Sequence, residues 1–584
     1  MSFAAPARFS FRQGLACGLF AAILDIALAF YNLRAIAHGK LLNPDSYMRL
    51  VRLQDIMAAH LPLDVVTRDG SGGGTVLHWS HLLDSLLLVL ATPLMPMLGQ
   101  HEALRWAGIM LGPLGAGCLG AAVAWAAAPM TDPAWRWTAS LTAALAVPVL
   151  AYTLPGVVHH HILAALSTVM CAGWAARAPI DGPAAGVSLG AWASFGLWLT
   201  PETVPISLMA FGAVGLGWLL HARERGWGTA LAAGTTTLAV LVALELSADP
   251  PQGNAFAIQI DRLSVAWLVF AVLGSLAGIW LWLLDRFVMS APKRAVTGVA
   301  GSLFAAAVWL ASFPQVLGGP EGVLHGAHAN AFEGIAEMQP ITTWPDAVLY
   351  LLPGAFAVLV ATILALRFRS WHFAYAAGAV ILLIVAAVLH RRFSTYQACA
   401  GAIAMPLAIT AINAALSDQP LYRLVFARMG MLLFVLIAPL ATYRLTQSAE
   451  AAKPTIAGKC DIAGAAPMLQ AYARQIVLAD VNDTPELLYR TPVVTVGSLY
   501  HRDAEGYLRL RAAWRVTDSK DIPRAIAATG ATLVLFCPEA KRSFLVRDLP
   551  PDTLWDQLHG NRPPSWLRLI AAEPDSGFKL FQIQ

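Results

Sequence analysis

Thirteen apolar stretches, each close to the length needed to cross a bilayer, constrain this chain more than any motif in it. A spanning helix needs about 20 predominantly apolar residues. Such runs occupy 13–32, 104–127, 134–153, 160–177, 183–200, 203–221, 228–247, 263–284, 294–313, 346–366, 371–389, 394–416 and 425–445. Hydrophobic residues make up 57% of the chain and charged ones only 13%, against roughly 25% charged in a soluble domain. The expected fold class is therefore a polytopic α-helical membrane protein. A fourteenth apolar stretch, Leu82 to Leu98, follows His78, Trp79 and His81, carries Asp84 near its start and is broken by Pro93 and Pro96. It suits an interfacial or re-entrant helix at least as well as a span. Charge parity decides between the two. If this stretch stays on one side and the N-terminus is cytoplasmic, Arg177, Arg223 with Arg225, Lys293 with Arg294, Arg367 with Arg369, and Arg423 with Arg428 all face the cytoplasm. That is the positive-inside pattern, and one more crossing reverses every one of them.

This orientation divides the chain into a membrane domain, 1–445, with external loops at 33–103 and 314–345, and an external domain, 446–584. In the latter, Thr532 to Phe536 reads as a buried strand, while Thr484 to Leu488 and Pro523 to Ala528 read as helical, so a small α/β module is expected. Cys460 and Cys537 fall there and can pair in an oxidising compartment. The other four cysteines lie in or near apolar runs and read as small core residues, with no CxxC pair among the six. The first apolar run is followed by Leu33-Arg34-Ala35-Ile36-Ala37-His38 rather than a small-residue cleavage site, so it is expected to remain as an uncleaved helix. The net charge of +4 is spread over short loops, which argues against a nucleic-acid partner. No Gly-rich phosphate loop follows a strand, which argues against a pumping ATPase, and Gly70 to Gly74 reads as a flexible loop.

Four polar clusters share the external face. The first, Asn43 to Arg52, carries Asp45, Tyr47, Arg49 and Arg52 directly after the first span. Its plain reading is a helix start, with Asp45 as N-cap and Arg49 as its ion-pair partner. Its functional reading is an acid at the membrane surface, placed to work on a substrate. In the second, Pro155 to His161, the alternate residues His159 and His161 face one ion if the segment is extended. The third is Thr200-Pro201-Glu202, whose carboxylate at the bilayer edge either caps a helix or needs a partner. The fourth is Gly334 to Trp344 in the long loop.

The run Glu337-Met338-Gln339-Pro340-Ile341-Thr342-Thr343-Trp344 resembles the S-V-S-E-H-Q-P-T-x-W segment of the oligosaccharyltransferase catalytic subunit, a C-type (GT-C) glycosyltransferase. Asp45 with Tyr47 and Arg49 is similar to that family's first-loop acid motif, and Gly156 to His161 to its G-R-x-D-H-H form. Here Val157 replaces Arg and His159 replaces Asp. Arg391 and Arg392 are similar to the family's donor-phosphate arginine, a role suited to a forked guanidinium. No Trp-Trp-Asp occurs in the tail, where the family reads its Asn-x-Ser/Thr acceptor.

The resemblance implies an integral inner-membrane glycosyltransferase acting on the periplasmic face, with a polyprenyl phosphate or diphosphate sugar donor and an acceptor it does not identify. Asp45 and Glu337 are then catalytic, and Asp45, His159 and His161 hold a divalent ion, Mn²⁺ or Mg²⁺. The His-for-Asp exchange favours softer ions, Mn²⁺ or Zn²⁺, over Mg²⁺. Arg391 and Arg392 bind the donor phosphate, while Tyr47, Arg49, Arg52, His160 and Glu202 orient those groups. Two other readings stay open: a scaffold that keeps the fold without catalysis, and a transporter. The second fits less well, because the ionisable clusters gather at one membrane face and intramembrane acids such as Asp25 are few.

Overall fold

The computed structural model describes residues 9–221, 226–285, 287, 290–319, 334–446, 459–517 and 520–584. Arg223 and Arg225 of the charge argument, the stretch 320–333 of the long loop and the expected domain junction near 446 to 458 lie outside the described residues.

The chain opens with α1 (Phe11–Leu28) and the short α2 (Phe30–Ala37), followed by α3 (Pro44–Ala59). A small hairpin, β1 (Val65–Val66) with β2 (Thr75–Val76), precedes α4 (Leu82–Ala91) and α5 (Met95–Leu98). The long helices follow in antiparallel succession: α6 (Gln100–Ala127), α7 (Trp137–Leu145) with α8 (Val147–Thr153), α9 (His161–Asp181), α10 (Pro183–Leu199), α11 (Val204–His221) and α12 (Trp227–Ala248). The series ends with α13 (Val265–Leu284), α14 (Ala291–Ser312), α15 (Trp344–Phe368), α16 (Trp371–Leu389), α17 (Ser394–Ala415) and α18 (Leu421–Thr446). Eleven helices among the described residues are long and apolar enough to cross a membrane. The two remaining expected spans are α10, at 17 residues, and the α7–α8 pair. The latter is broken where Ala146 turns extended and Pro148 cannot donate to the helical ladder. The Leu82–Leu98 segment is a shorter apolar helix packed along α6.

Lipid offers no hydrophobic drive for helices to pair, so close approach rests on small residues. A Cβ at Gly186 would lie 2.2 Å from the Ala230 carbonyl oxygen, and one at Gly190 would lie 2.1 Å from that of Gly234. These glycines bring α10 against α12. Gly112 does the same for α6 beneath α8, where a Cβ would stand 2.0 Å from the Thr153 oxygen. The end of α8 is thereby held at the mouth of α9.

The tail forms a five-stranded sheet in the order β4 (Val494–Thr495), β3 (Ile476–Leu478), β5 (Leu533–Phe536), β7 (Lys579–Ile583), β6 (Leu567–Ala572). The first three strands are parallel and the last two pairings antiparallel. Helices α19 (Ile462–Leu469), α20 (Thr484–Arg490), α21 (Ala504–Trp514), α22 (Arg524–Ala527) and α23 (Leu554–His559) complete it. Strand β5 is buried along its whole length, as an all-apolar central strand must be. Cys460 and Cys537 form a disulfide.

The tail rests on the 38–81 segment. Arg68 donates to the carbonyls of Thr491 and Leu488, each at 2.7 Å. Thr495 donates to Asp69 at 2.7 Å, and Ser71 to the Thr529 carbonyl at 2.8 Å. The Gly70–Gly74 stretch, expected as a flexible loop, is instead a tight turn wedged against the tail. Positive φ at Gly70, Ser71, Gly72 and Gly74 makes glycine the natural choice at three of those four positions.

Candidate active site

Four segments, joined by the arginine pair that follows α16, meet at the tail end of the helix bundle. The first is the start of α3. Its N-cap is Asn43, whose side chain accepts from Ser46 N at 2.8 Å, with Pro44 at the first helical position. Asp45 therefore sits inside the helix rather than capping it, which corrects the plain reading above, and its carboxylate is free to face outward. One oxygen, Oδ2, lies 3.0 Å from His159 Nε2, and the other accepts from the Tyr500 hydroxyl at 2.7 Å. Ser46 Oγ accepts from Val158 N at 2.7 Å, tying α3 to the histidine segment.

The second segment is His159-His160-His161 at the mouth of α9. The rings of His159 and His161 stack at 4.5 Å, and both residues are buried. Ligand nitrogens of the three histidines lie within 4.8 Å of one another. His159 Nδ1 is buried without a hydrogen-bond partner among the described residues. An unpartnered buried nitrogen is costly, so the cluster fits a metal ion, and the structure places Asp45 on its edge through His159.

The third segment carries Glu202, in the turn before α11. It caps nothing: Oε1 lies 2.9 Å from His161 Nδ1 and accepts from Tyr396 at 2.5 Å, while Oε2 lies 3.3 Å from Arg392 Nε. The fourth is the 334–343 segment. Glu337 accepts from the Tyr152 hydroxyl at 2.7 Å and lies 3.5 Å from His161 Nε2. Burial alone would raise the Glu337 pKa, but the adjacent His161, with His159 and Arg392 beyond it, holds it well below the usual carboxylate range. The segment is fixed by backbone bonds, Arg391 N to the Gln339 carbonyl at 3.1 Å and Ile341 N to that of Val388 at 2.9 Å. Gly334 passes under the tail's Phe544 ring, where a Cβ would come within 2.4 Å. Trp344, by contrast, is 64% exposed.

The two arginines separate. Arg392 turns inward to Glu202, while Arg391 lies 3.6 Å from Asp346 and over the Tyr350 ring. Nε of Arg391 is buried without a hydrogen-bond partner among the described residues. Arg49 and Arg52 are not on the site; both grip the buried Asp84, at 2.9 and 2.5 Å. Arg49 is therefore not Asp45's ion-pair partner. Tyr47 likewise turns away, donating to Glu486 of the tail at 2.9 Å.

Sequence reasoning missed Tyr152, Tyr396 and Tyr500, which complete the hydrogen bonding of Glu337, Glu202 and Asp45. It also missed a buried network in which Arg262 binds Asp64 at 2.5 Å and Asp249, with His81 Nδ1 2.8 Å from Asp249. Single tyrosines in apolar or loop context carry no local signal.

No protein-family model matches the chain, and no curated protein sequence matches it. Among solved structures, archaeal oligosaccharyltransferase AglB from Archaeoglobus fulgidus, in complex with an inhibitory peptide and a dolichol-phosphate, has a TM-score of 0.66 at 14% identity. The match covers 90% of this chain and 69% of that one. The Archaeoglobus fulgidus oligosaccharyltransferase in complex with Zn and sulfate matches with a TM-score of 0.65 at 12% identity, over 90% of this chain and 68% of that one. The chain shares the fold of the Archaeoglobus fulgidus oligosaccharyltransferase and is a polytopic helical membrane protein.

Proposed function

We propose that this protein is an integral membrane glycosyltransferase that moves a sugar or glycan from a polyprenyl phosphate or diphosphate carrier to an acceptor on the periplasmic side of a bacterial inner membrane. The observation that carries the reading is the convergence of Asp45, His159, His161, Glu202, Glu337 and Arg392, from five separate segments, at one end of a bundle with the oligosaccharyltransferase fold. The AglB structure with dolichol-phosphate supports a lipid-phosphate donor. The Cys460–Cys537 disulfide and the positive-inside charge pattern support an exported tail. On this reading 1–445 is the membrane domain and 446–584 the periplasmic one.

In the reaction the bond from the sugar's anomeric carbon to the carrier phosphate breaks, a bond from the acceptor forms, the acceptor loses a proton and the carrier leaves as an ionised phosphate. Asp45 orients the acceptor and takes up its proton, held at both oxygens by His159 and Tyr500. Arg391, whose partner Asp346 is partly exposed, meets the departing phosphate. Arg392 holds Glu202, which in turn orients His161. Glu337 stays ionised and braces His161 from the other side, closing the site as the 334–343 segment packs down. His159, through its open Nδ1, and His160, with Asp45, would hold a divalent ion, and His161 would join them by giving up one of its two carboxylate partners. That nitrogen-rich set suits Zn²⁺ or Mn²⁺ better than Mg²⁺, and the ion would supply positive charge against the departing phosphate.

The test is binding of a short-chain polyprenyl diphosphate sugar to detergent-purified protein, titrated with and without Mn²⁺, for wild type, Arg391→Ala and Asp45→Ala. Metal-dependent binding weakened about tenfold by Arg391→Ala, or about 1.4 kcal/mol, is expected, with binding retained in Asp45→Ala at saturating Mn²⁺. Absence of binding with every metal sinks the donor assignment and leaves the scaffold reading.

A further inference from the structure

Tyr500 stands 455 positions from Asp45 in sequence, in the loop after β4, yet its hydroxyl donates to the Asp45 carboxylate at 2.7 Å. Its placement is fixed on several sides. The ring meets Trp79 edge-on at 5.2 Å, and the residue is 8% exposed. Trp79 is itself held beneath the Arg49 guanidinium, 4.4 Å above its ring. The two residues that follow Tyr500 are anchored to the loop before α13: His501 Nε2 lies 2.6 Å from Asp261 Oδ2, and Arg502 Nε donates to the same oxygen at 2.9 Å.

Packing explains the ring but not the hydroxyl. A phenylalanine would fill the same pocket against Trp79 without a polar atom to satisfy. The hydroxyl instead finds the single acid that faces the site from α3. Asp45 is thus gripped from two origins: Oδ2 by His159, from the membrane bundle, and Oδ1 by Tyr500, from the tail. A carboxylate oxygen has two lone pairs, so each held oxygen still has one for a substrate proton, and the rotation of the group is set.

We propose that Tyr500 is a positioning residue of the active site, through which the docked tail sets the orientation of Asp45. The proposal rests on the reading of Asp45 given above. The tail then belongs to the reaction centre rather than serving only to recognise an acceptor, and one hydroxyl couples its docking to turnover.

The experiment uses the full chain in detergent, with a short-chain polyprenyl diphosphate sugar as donor and water as the acceptor, read as release of the free sugar. Donor KM, kcat and protection of the tail from trypsin are measured for wild type, Asp45→Asn and Tyr500→Phe. Asp45→Asn abolishes release. Tyr500→Phe lowers kcat by about ten- to a hundredfold, the range expected when a reacting group is misplaced, with donor KM within about twofold and tail protection unchanged. A Tyr500→Phe protein with wild-type kcat, beside an inactive Asp45→Asn, overturns the proposal while sparing the assignment of Asp45. A loss of kcat that comes with loss of tail protection overturns it as well, since the effect is then one of docking. Wild type that releases no sugar, or Asp45→Asn that releases it normally, removes the glycosyltransferase reading and this inference with it.

Discussion

Arg392 and Glu202 form a buried ion pair, Nε to Oε2 at 3.3 Å, with side chains 15% and 7% exposed. Glu202 also faces His161 and Tyr396, so the pair is the point where α11, α9 and α17 are tied together.

Removing one partner of such a pair leaves an uncompensated charge in low dielectric. Arg392→Ala is expected to destabilise the protein by about 3–5 kcal/mol. Arg391→Ala, which gives up a more exposed partner, should cost about 1 kcal/mol or less. Thermal unfolding of the two variants in one detergent checks the difference. Equal costs would show that Arg392 is not held as described.

Asp84 carries a heavy electrostatic load outside the site, because Arg49 and Arg52 both depend on it and are almost fully buried. Asp84→Asn should therefore destabilise by at least as much as Arg392→Ala, about 3–5 kcal/mol, while donor affinity per folded molecule stays at the wild-type level. A folded-fraction-corrected binding titration separates the two effects.

The contact of Asp261 with the tail has a calculable pH sign. Burial pushes its pKa up, but hydrogen bonds from His501 and Arg502 outweigh burial and hold it well below the usual range. A carboxyl depressed below its unfolded value, about 3.9, contributes stability that is present above that value and lost as pH falls through the folded pKa. The Asp261 contribution is thus complete at neutral pH and should fade only below about pH 4. Hydrogen exchange at residues 500–502 across an acid series checks this. Asp261→Asn should lower protection at pH 7 and remove that acid-side loss.

Metal choice should follow the donor at position 159. His159→Asp replaces a nitrogen ligand with a hard oxygen and should shift preference toward Mg²⁺ at the expense of Zn²⁺. Competitive titration of both ions against the two proteins measures it. An unchanged preference would place the ion away from His159.

Much of the fold was legible because apolar length is a local property. Each of the thirteen runs corresponds to a helix or, at 134–153, to a broken pair of helices. The site clusters were legible for a similar reason, since Asp45, His159 to His161, Glu202 and Glu337 lie in short polar runs between apolar ones. The cap at α3 was also legible, because Pro44 at the first helical position requires its cap at 43, yet Asp45 was the more conspicuous acid. Partnerships were not legible. Asp84 lies 35 positions from Arg49, and Asp45 lies 455 from Tyr500. Charge says that a buried arginine needs an acid, but only the packing of helices selects which one.

The break between α7 and α8 has a consequence for how the protein is made. Backbone interrupted at membrane depth is tolerated only where protein, not lipid, surrounds it. Here that protein includes α17, whose Thr395 donates to the Pro148 carbonyl at 2.9 Å across 247 positions of sequence. When residues 137–153 leave the ribosome, α1 and α6 are already made and can pack against them, but α17 is not. The hydrogen bonding of the break is therefore completed only after the helix beginning at Ser394 has been synthesised.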